Sequence, residues 1–278
     1  MNSISVVLPL YSNSQKYVSR MSIIRRTLIS LKNQIDISFE VIAVDNGSFD
    51  DTYTLFRQYF PKSLYLSFPE SRQRAKARNL GVSLARNDNI LFLDNDCFTY
   101  PTCIKNYKKL INLFPDTVIQ GMFLQSQGLY LSGDEYIKVI DNKETIDYAK
   151  YESEIPLERS YRQEDLNSHT VEYYNSVELS YKDAYWDPAL HLGNLLYPRH
   201  LINKLKGIDE DFIGWGHEDS MLGYVTHYSK IPVKLALNTI VIHQLHRTGN
   251  DLSHTEDCAS ELINRELLFK KVAALRQT

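Results

Sequence analysis

Apolar runs and helical stripes alternate through the first 123 residues, and this alternation limits the possible folds more than any other feature of the sequence. Each apolar run is short enough for a buried strand, and the stripes repeat at helical spacing. Alternation of this kind is typical of parallel β-α-β units, which are right-handed and carry helices on both faces of the sheet. The predicted strands are residues 4–10, 39–44, 63–68, 90–93 and 118–123. The sequence therefore predicts an α/β fold with a mostly parallel central sheet flanked by helices.

Helices are predicted between these strands and again near the carboxyl terminus. Ile24, Leu28 and Leu31 recur at the spacing of an amphipathic helix, and residues 72–86 repeat the pattern among basic side chains. Beyond the irregular middle of the chain, further regular elements are predicted. They are a helix at 199–206 that ends at Gly207, two strands at 233–237 and 240–245, and a helix at 259–274.

The middle of the chain, residues 125–188, is polar and contains nine of the 19 tyrosines. Its aromatic content argues against full disorder. One interpretation is a lid or an acceptor platform, since sugars stack on aromatic rings. The other is a small aromatic core beneath a long insertion.

Composition excludes several classes of protein. The net charge of -3 offers no basic surface for nucleic acid, and no apolar segment approaches the roughly 20 residues that span a bilayer. The amino terminus lacks the basic region of a secretory signal. Cys97, Cys103 and Cys258 are an odd number without a CxxC pair, which favours a reducing compartment. We therefore predict a cytoplasmic protein without a transmembrane segment.

Acidic residues follow two of the predicted strands. Asp94 and Asp96 end the run at 90–93, and they would point to the same side if the backbone stayed extended there. Ligands of open α/β sheets bind at this edge, and carboxylate oxygens suit a hard divalent cation. Asp45 ends another strand, where it could accept hydrogen bonds from a ribose or a pyrimidine, or could simply form a turn. The pattern predicts a cation site that could hold a departing diphosphate.

Basic residues and histidines could complete such a site. Arg72 and Arg78 lie in the connection that precedes the acidic strand, and guanidinium groups pair well with phosphate oxygens, although a solvated helix face is the simpler interpretation. His243 and His246 end the last predicted strand. An imidazole, a carboxylate and phosphate oxygens would suit a first-row cation such as manganese, although either histidine alone could be structural.

The segment from Gly214 to Asp219 combines glycine, an aromatic ring and acids. Gly214 and Gly216 leave room for a substrate, and Trp215 offers an apolar wall for a sugar face. Glu218 and Asp219 begin a predicted helix, where acids are favoured electrostatically. Either acid could act as the general base that removes a proton from an acceptor hydroxyl.

These motifs resemble the glycosyltransferases of family 2, which have the fold called GT-A. Four segments match the family pattern in order: VVLPLY at 6–11, VDNGS at 44–48, ARNLG at 77–81 and FLDND at 92–96. The later GWGHED at 214–219 is similar to the carboxyl-terminal motif of galactosyltransferase-like and chondroitin-polymerase-like enzymes, with a histidine downstream. His217 departs from that motif, because relatives often have glycine there, and it could narrow the acceptor site.

The resemblance implies a metal-dependent, inverting transfer of a sugar from a UDP-sugar to a hydroxyl of a glycan or lipid-linked saccharide. Residues 1–123 would form the nucleotide-sugar half, and 124–278 the acceptor and catalytic-base half of the same domain, with an irregular insertion. Peripheral membrane association would come only through a lipid-linked acceptor.

The resemblance also implies individual roles. Asp96 would be the direct ligand of Mn²⁺ or Mg²⁺, with His243 preferred to His246 as its partner. Asp219 would be the base, and Glu218 would contact a hydroxyl. The nucleotide-sugar would contact Pro9, Tyr11, Asp45, Arg72, Arg78, Asp94, Asn95 and Trp215.

Two other functions compete with this interpretation. The sequence of residues 94–98 is close to the DxDx[TV] motif of aspartate-nucleophile phosphatases, but those enzymes carry the motif on their first strand. A nucleotide-sugar-binding protein without catalysis is the second alternative. The presence of Asp45, Asp96 and Asp219 in one chain argues against a decayed site.

Overall fold

The computed structural model describes residues 3–14, 20–68, 73–126, 136–150, 157–159, 177–178, 190–244 and 253–277. The elements of the first half are β1 (Ile4–Leu10), α1 (Arg20–Lys32), β2 (Phe39–Asn46), α2 (Thr52–Tyr59), β3 (Leu64–Phe68), α3 (Arg74–Leu84), β4 (Asn89–Leu93), β5 (Cys97–Thr99), α4 (Cys103–Leu113) and β6 (Val118–Ser126). Those of the second half are β7 (Ile137–Ile140), β8 (Lys143–Ile146), β9 (Leu157–Arg159), β10 (Val177–Glu178), β11 (Asn194–Pro198), α5 (Arg199–Lys204), α6 (Glu218–Tyr228), β12 (Val233–His243) and α7 (Ser253–Leu275).

One sheet of ten strands joins both halves of the chain. Its main path runs in the order β10-β12-β6-β11-β4-β1-β2-β3, while β5 pairs with β12 and β9 pairs with β6. Strands β3, β2, β1 and β4 are mutually parallel, β11 runs antiparallel between β4 and β6, and β12 is parallel to β6. The carboxyl ends of β1, β2, β4 and β12 therefore lie along one edge of the sheet.

Helices cover both faces of this sheet, as the sequence predicts. On one face, α1, α2 and α4 pack through residues such as Leu28, Phe56 and Ile104, which are fully buried. On the other face, α3, α5 and α6 pack through residues such as Ala77, Ile202 and Leu222. The prediction of a mostly parallel sheet between two layers of helices is confirmed.

Strand β12 corrects the prediction of two closing strands. It runs without interruption from Val233 to His243, and its pairing with β6 shifts between Ala236 and Ile240. The buried side chain of Asn194 donates to the carbonyl of Thr239 at 2.7 Å, which satisfies the backbone of this bulge. The polar bulge residues at 238–239 interrupt the apolar pattern without ending the strand.

Other boundaries differ from the sequence prediction by a few residues. The basic helix spans Arg74–Leu84 and the helix after β11 spans Arg199–Lys204, so both are shorter than predicted. The terminal helix begins six residues earlier, at Ser253. Helices α2 and α4 and strand β5 were not predicted. Most of the tyrosine-rich segment, residues 125–188, lies outside the described residues.

The boundary predicted at residues 123 and 124 falls inside β6 (Val118–Ser126). Strands from both sides of it belong to the same sheet. Within the described ranges, no helix is long and apolar enough to cross a membrane.

Candidate active site

The candidate site lies at the carboxyl edge of the parallel strands, where the predicted acids converge. Strand β4 ends at Leu93, and the chain then turns through Asn95 and Asp96 into β5. The backbone is therefore not extended across this segment. The prediction that both side chains point to the same side depended on an extended backbone, and this condition is not met. Because of the turn, Asp94 and Asp96 have different neighbours.

Asp94 pairs with a buried arginine. The Nη2 atom of Arg78 lies 2.6 Å from Oδ1 of Asp94, and its Nη1 atom donates to Oε1 of Glu218 at 3.1 Å. Arg78 is 3% exposed and Glu218 6%. Burial would lower the pKa of Arg78, but the two carboxylates outweigh burial and raise it, so the guanidinium stays charged. Arg78 thus joins the acidic turn to the start of α6, and its predicted phosphate contact stays a prediction.

Asp96 faces an arginine on one side and a histidine on the other. Oδ2 of Asp96 accepts from Nη1 of Arg20 at 3.1 Å, and its Oδ1 lies 3.6 Å from Nε2 of His243. Burial would lower the pKa of His243, but Asp96 and Asp94 outweigh burial and raise it. The ring of His243 also stacks on Phe123, with centroids 5.3 Å apart. The structure therefore brings the predicted ligands Asp96 and His243 together.

Strand β5 explains this proximity. It pairs antiparallel with β12, and His243 is the register partner of Cys97, the residue after Asp96. Gln244 strengthens the junction, because its backbone N–H donates to the carbonyl of Asp96 at 2.8 Å. Arg26, which is fully buried, donates to Oε1 of Gln244 at 2.5 Å. The short strand fixes the end of β12 beside the acidic turn.

The donor atoms of Asp96 and His243 fit a divalent cation as a partial ligand set. Neighbouring ligands of an octahedral ion with bonds of about 2.1 Å stand about 3 Å apart, close to the 3.6 Å between Oδ1 and Nε2. The described ranges contain no group of three or more His, Cys, Asp or Glu side chains arranged to hold a metal. A cation held here would therefore need further oxygen ligands, which a diphosphate supplies.

Asp45 lies at the end of β2, is 6% exposed and accepts three hydrogen bonds. Its Oδ1 accepts from the backbone N–H of Ser48 at 2.8 Å, and its Oδ2 accepts from the hydroxyls of Thr52 and Tyr65 at 2.7 and 2.5 Å. Burial and the bond to Asp45 raise the pKa of Tyr65. Asp45 thus stabilises the turn after β2, the alternative that the sequence left open. Its contact with a nucleoside stays a prediction.

The loop before α6 has a left-handed backbone at three positions. Gly214, Gly216 and His217 have φ values of 87°, 95° and 72°. Glycine adopts this conformation without the steric cost that other residues, such as His217, bear. Nε2 of His217 lies 3.1 Å from Oε1 of Glu261 on α7, so the ring is turned toward that helix. Trp215 is 46% exposed, as a sugar-facing wall would need.

Helix α7 holds this loop in place through hydrogen bonds. The side-chain amide of Asn264 donates to the carbonyls of Ile213, Trp215 and Gly216 at 3.0 to 3.1 Å, and Asn264 is 2% exposed. The backbone N–H of Trp215 donates to the hydroxyl of Ser260 at 3.1 Å. Asp219 follows in the first turn of α6, and its Oδ1 accepts from the backbone N–H of Ser220 at 2.8 Å. Helix α7 thus fixes the loop that leads to both predicted catalytic acids.

Two residues of this site were not predicted. Arg20 donates to Asp96, and it also donates to Oδ1 of Asn95 at 2.6 Å and to the carbonyl of Tyr11 at 3.2 Å. His191 stacks on the face of Phe123, with centroids 5.4 Å apart, and burial lowers its pKa. Arg20 follows a polar stretch and His191 precedes a short strand, so neither belongs to a recognisable sequence pattern.

The remaining predicted residues divide into two groups. Pro9 and Tyr11 lie at the end of β1 and are half-buried, and the side-chain amide of Asn95 donates to the carbonyl of Tyr11 at 3.3 Å. Arg72 and His246 lie outside the described residues, so their roles stay predictions.

Relatives of known name are glycosyltransferases and polysaccharide synthases. The uncharacterized glycosyltransferase YfnE of Bacillus subtilis is 24% identical over 87% of this chain and 64% of the relative. Hyaluronan synthase of Pasteurella multocida is 28% identical over 74% of this chain and 21% of the relative. Chondroitin synthase of Escherichia coli is 24% identical over 98% of this chain and 38% of the relative. The chain thus spans less than two thirds of the length of each.

Solved structures support the fold. TarS of S. aureus, residues 1–349 in complex with UDP-GlcNAc, superposes with a TM-score of 0.61 at 15% identity, over 90% of this chain and 60% of that one. The same TarS fragment without a named ligand gives a TM-score of 0.59. These similarities confirm the predicted GT-A fold.

The profile of glycosyl transferase family 2 matches residues 5–172, which is more than half of the chain. The match covers β1, the turn after β2, helix α3 and the acidic turn, where the sequence motifs of the predicted family lie. It supports glycosyl transfer and not the phosphatase alternative. The chain therefore belongs to glycosyl transferase family 2.

Proposed function

We propose that this protein is a metal-dependent, inverting glycosyltransferase that moves a sugar from a UDP-sugar to a hydroxyl of a glycan or lipid-linked saccharide. The observation that carries the proposal is the meeting of Asp96 with His243 at one sheet edge, where Arg78 also ties Asp94 to Glu218. The complex of TarS with UDP-GlcNAc supports a uridine donor. The synthases among the relatives support a saccharide acceptor.

The donor would lie across the ends of β1, β2 and β4. Tyr11, Asp45 and Asn95 would contact its nucleoside side, and Asp96 and His243 would hold Mn²⁺ or Mg²⁺. Such a cation, when bound, offsets the negative charge that develops on the departing diphosphate. The buried surroundings of Asp96, whose side chain is 13% exposed, would strengthen every charge interaction there.

The acceptor would approach from the loop before α6. Asp219 would take the proton of the acceptor hydroxyl while that oxygen bonds to the anomeric carbon, opposite the bond to the diphosphate, so the configuration inverts. Glu218, held by its ion pair with Arg78, would accept a hydrogen bond from a sugar hydroxyl. Trp215, which is half exposed, would pack against a sugar face.

A reducing compartment such as the cytoplasm suits this function. Cys97 and Cys103 are free thiols, and both are buried. Cys97 follows the proposed metal ligand Asp96 directly, and burial raises the pKa of its thiol. A lipid-linked acceptor would bring the protein to a membrane surface.

A donor screen tests the proposal. Release of UDP would be measured over a panel of UDP-sugars, with Mn²⁺ and with EDTA, for the wild type, for Asp96→Ala and for the control Asp116→Asn. The side chain of Asp116 is 74% exposed and lies in a turn after α4. We expect slow hydrolysis of one or a few donors, lost with EDTA and in Asp96→Ala but kept in the control.

Two results would contradict the proposal. Equal turnover by Asp96→Ala and the wild type would remove the metal role of Asp96. Calorimetric binding of a UDP-sugar without hydrolysis, and without transfer to any saccharide acceptor, would favour the non-catalytic alternative.

A further inference from the structure

Arg20 has a position at the candidate site that the sequence motifs do not account for. It is the first residue of α1 and is 9% exposed. Its guanidinium donates to the carboxylate of Asp96, to the amide oxygen of Asn95 and to the carbonyl of Tyr11. One side chain therefore contacts both the proposed metal ligand and the strand end at which the nucleotide is proposed to bind.

The two oxygens of Asp96 face different basic side chains. Oδ2 accepts from Arg20, while Oδ1 faces Nε2 of His243. The side chains of Arg20 and Asp96 are 11% and 13% exposed, so water screens their interaction only weakly. The guanidinium thus offsets the charge of a largely buried carboxylate.

The same positive charge opposes a cation. A divalent ion bound between Oδ1 of Asp96 and His243 would stand within a few ångströms of the guanidinium, and like charges at that range repel. A nucleoside diphosphate brings negative charge to the same edge and would offset this repulsion. The contacts of Arg20 with Tyr11, Asn95 and Asp96 place the guanidinium between the proposed nucleoside contacts and the proposed metal ligand.

We propose that Arg20 is a positioning residue that serves as the counter-ion of Asp96 in the free protein, so that the cation binds well only together with the donor diphosphate. This inference rests on the proposed function. Arg20 would thus influence the order in which donor and cation bind. In the free protein it holds the carboxylate of Asp96 in place without metal, and the bound donor then favours binding of the cation.

A titration with Mn²⁺ tests the proposal without any measurement of turnover. Free Mn²⁺ would be followed by electron paramagnetic resonance, with and without UDP, in the wild type, Arg20→Gln, Arg20→Lys and Arg25→Gln. Arg25 is the matched control, because it lies one turn further along α1 and pairs with Glu144 and Tyr59, away from the acidic turn.

The charge of Arg20 should govern the result. In the wild type and in Arg25→Gln we expect weak binding of Mn²⁺ that UDP strengthens markedly. In Arg20→Gln we expect binding without UDP to tighten on the order of tenfold, and the further gain from UDP to shrink by a similar factor. Arg20→Lys keeps the charge and should behave like the wild type. If Arg20 had only a structural role, loss of its side chain would not tighten the binding of Mn²⁺.

Different failures have different meanings. If Arg20→Gln binds Mn²⁺ as the wild type does, or more weakly, the counter-ion role is overturned. This holds even if the wild type shows Mn²⁺-dependent release of UDP. A wild type that binds no Mn²⁺ in the presence of UDP overturns both this inference and the metal part of the proposed function. Failure of Arg20→Lys to restore wild-type coupling also overturns the charge argument.

Discussion

The acids Asp94, Glu218 and Asp96 of the candidate site do not all have the same cationic partner, and the partner determines how each carboxylate can interact. Asp94 and Glu218 share Arg78, whereas Asp96 faces Arg20 and His243. A charge-assisted hydrogen bond to a buried guanidinium fixes the direction of a carboxylate. Asp96, with one oxygen toward His243, is the proposed ligand of a cation.

Replacement of Arg78 by methionine should destabilise the protein strongly. Glu218 is almost fully buried, so the loss of its cation leaves a carboxylate with little access to water. Breaking a buried pair in this way costs about 3–5 kcal/mol of unfolding free energy, which urea denaturation would measure. Arg86→Met is the control: the side chain of Arg86 is 77% exposed and binds Glu40, so its loss should cost no more than about 1 kcal/mol. Equal losses in the two variants would argue against this assignment.

Replacement of Asp219 by asparagine should separate binding from transfer. The amide keeps the size of the side chain but cannot accept a proton, so transfer should fall by roughly 10²- to 10⁴-fold. Binding of UDP, followed by calorimetry, should stay within about twofold because Asp219 is not among the proposed nucleotide contacts. Transfer at the wild-type rate would rule out Asp219 as the base. Asp116→Asn again provides the matched control.

Sequence reasoning identified Asp94, Asp96 and Glu218 because each stands next to a recognisable pattern, either the end of an apolar run or a glycine-aromatic loop. It could not assign their partners. Arg20 lies 76 positions from Asp96 along the chain, and no local pattern marks that contact. The same limit applies to the second contact of Arg78, which joins residues 140 positions apart.

Helix α7 positions part of the candidate site, because it holds the loop before α6 through hydrogen bonds. The amide of Asn264 binds three carbonyls of that loop, and α7 also packs on α6 through Leu268 and Val272. The glycines of the loop give it little stiffness of its own. The orientation of the two proposed catalytic acids therefore depends on a helix far along the chain.

Asn264→Ala should lower kcat far more than it weakens donor binding. Without the amide the loop loses three hydrogen bonds, and a small misplacement of Asp219 can reduce transfer on the order of 10- to 100-fold. UDP binding should be unchanged, because the nucleotide is proposed to bind at the ends of β1, β2 and β4 and not on this loop. The control is Ile263→Ala, whose side chain is 66% exposed. Steady-state kinetics with saturating donor would show the difference, and parallel losses in both variants would contradict the prediction.

The packing of α3 on the sheet depends on a glycine. A Cβ atom at Gly81 would lie 2.3 Å from Cγ1 of Val7 on β1. Gly81→Ala should therefore destabilise the protein by about 1–3 kcal/mol, although alanine favours a helix. In a double-mutant cycle with Val7→Ala, measured by urea denaturation, the two changes should be less costly together than their sum. Additive costs would show that the clash is relieved elsewhere.

The elements that the sequence missed are those without a strong apolar period. Strand β5 has three residues, too few to show alternation, although it is what brings His243 to Asp96. Strand β12 was divided in two because Asn238 and Thr239 interrupt its apolar run. The long apolar strands of the first half left no such ambiguity, and their predicted positions agree with the sheet.

At the scale of the whole molecule, ligand binding should stabilise the fold, because the proposed site draws residues from both halves of the sheet. At a ligand concentration about 100 times the dissociation constant, the expected gain is about 2.7 kcal/mol, enough to raise Tm by several degrees in a domain of this size. Differential scanning fluorimetry should show a larger rise with UDP and Mn²⁺ together than the sum of the separate rises. In Asp96→Ala the extra rise should vanish. A purely additive response in the wild type would contradict a shared site.

The contact of Arg78 with Glu218 has a consequence for engineering. Arg78 lies in α3, in the half that is proposed to bind the nucleotide, and Glu218 begins α6, in the half that is proposed to bind the acceptor. A hybrid enzyme that takes residues 124–278 from a relative with another acceptor must bring an acid to the same place. Otherwise the imported half leaves a buried guanidinium facing an apolar or neutral neighbour. Compatibility between donor and acceptor halves can therefore be screened on this one pair before any chimaera is built.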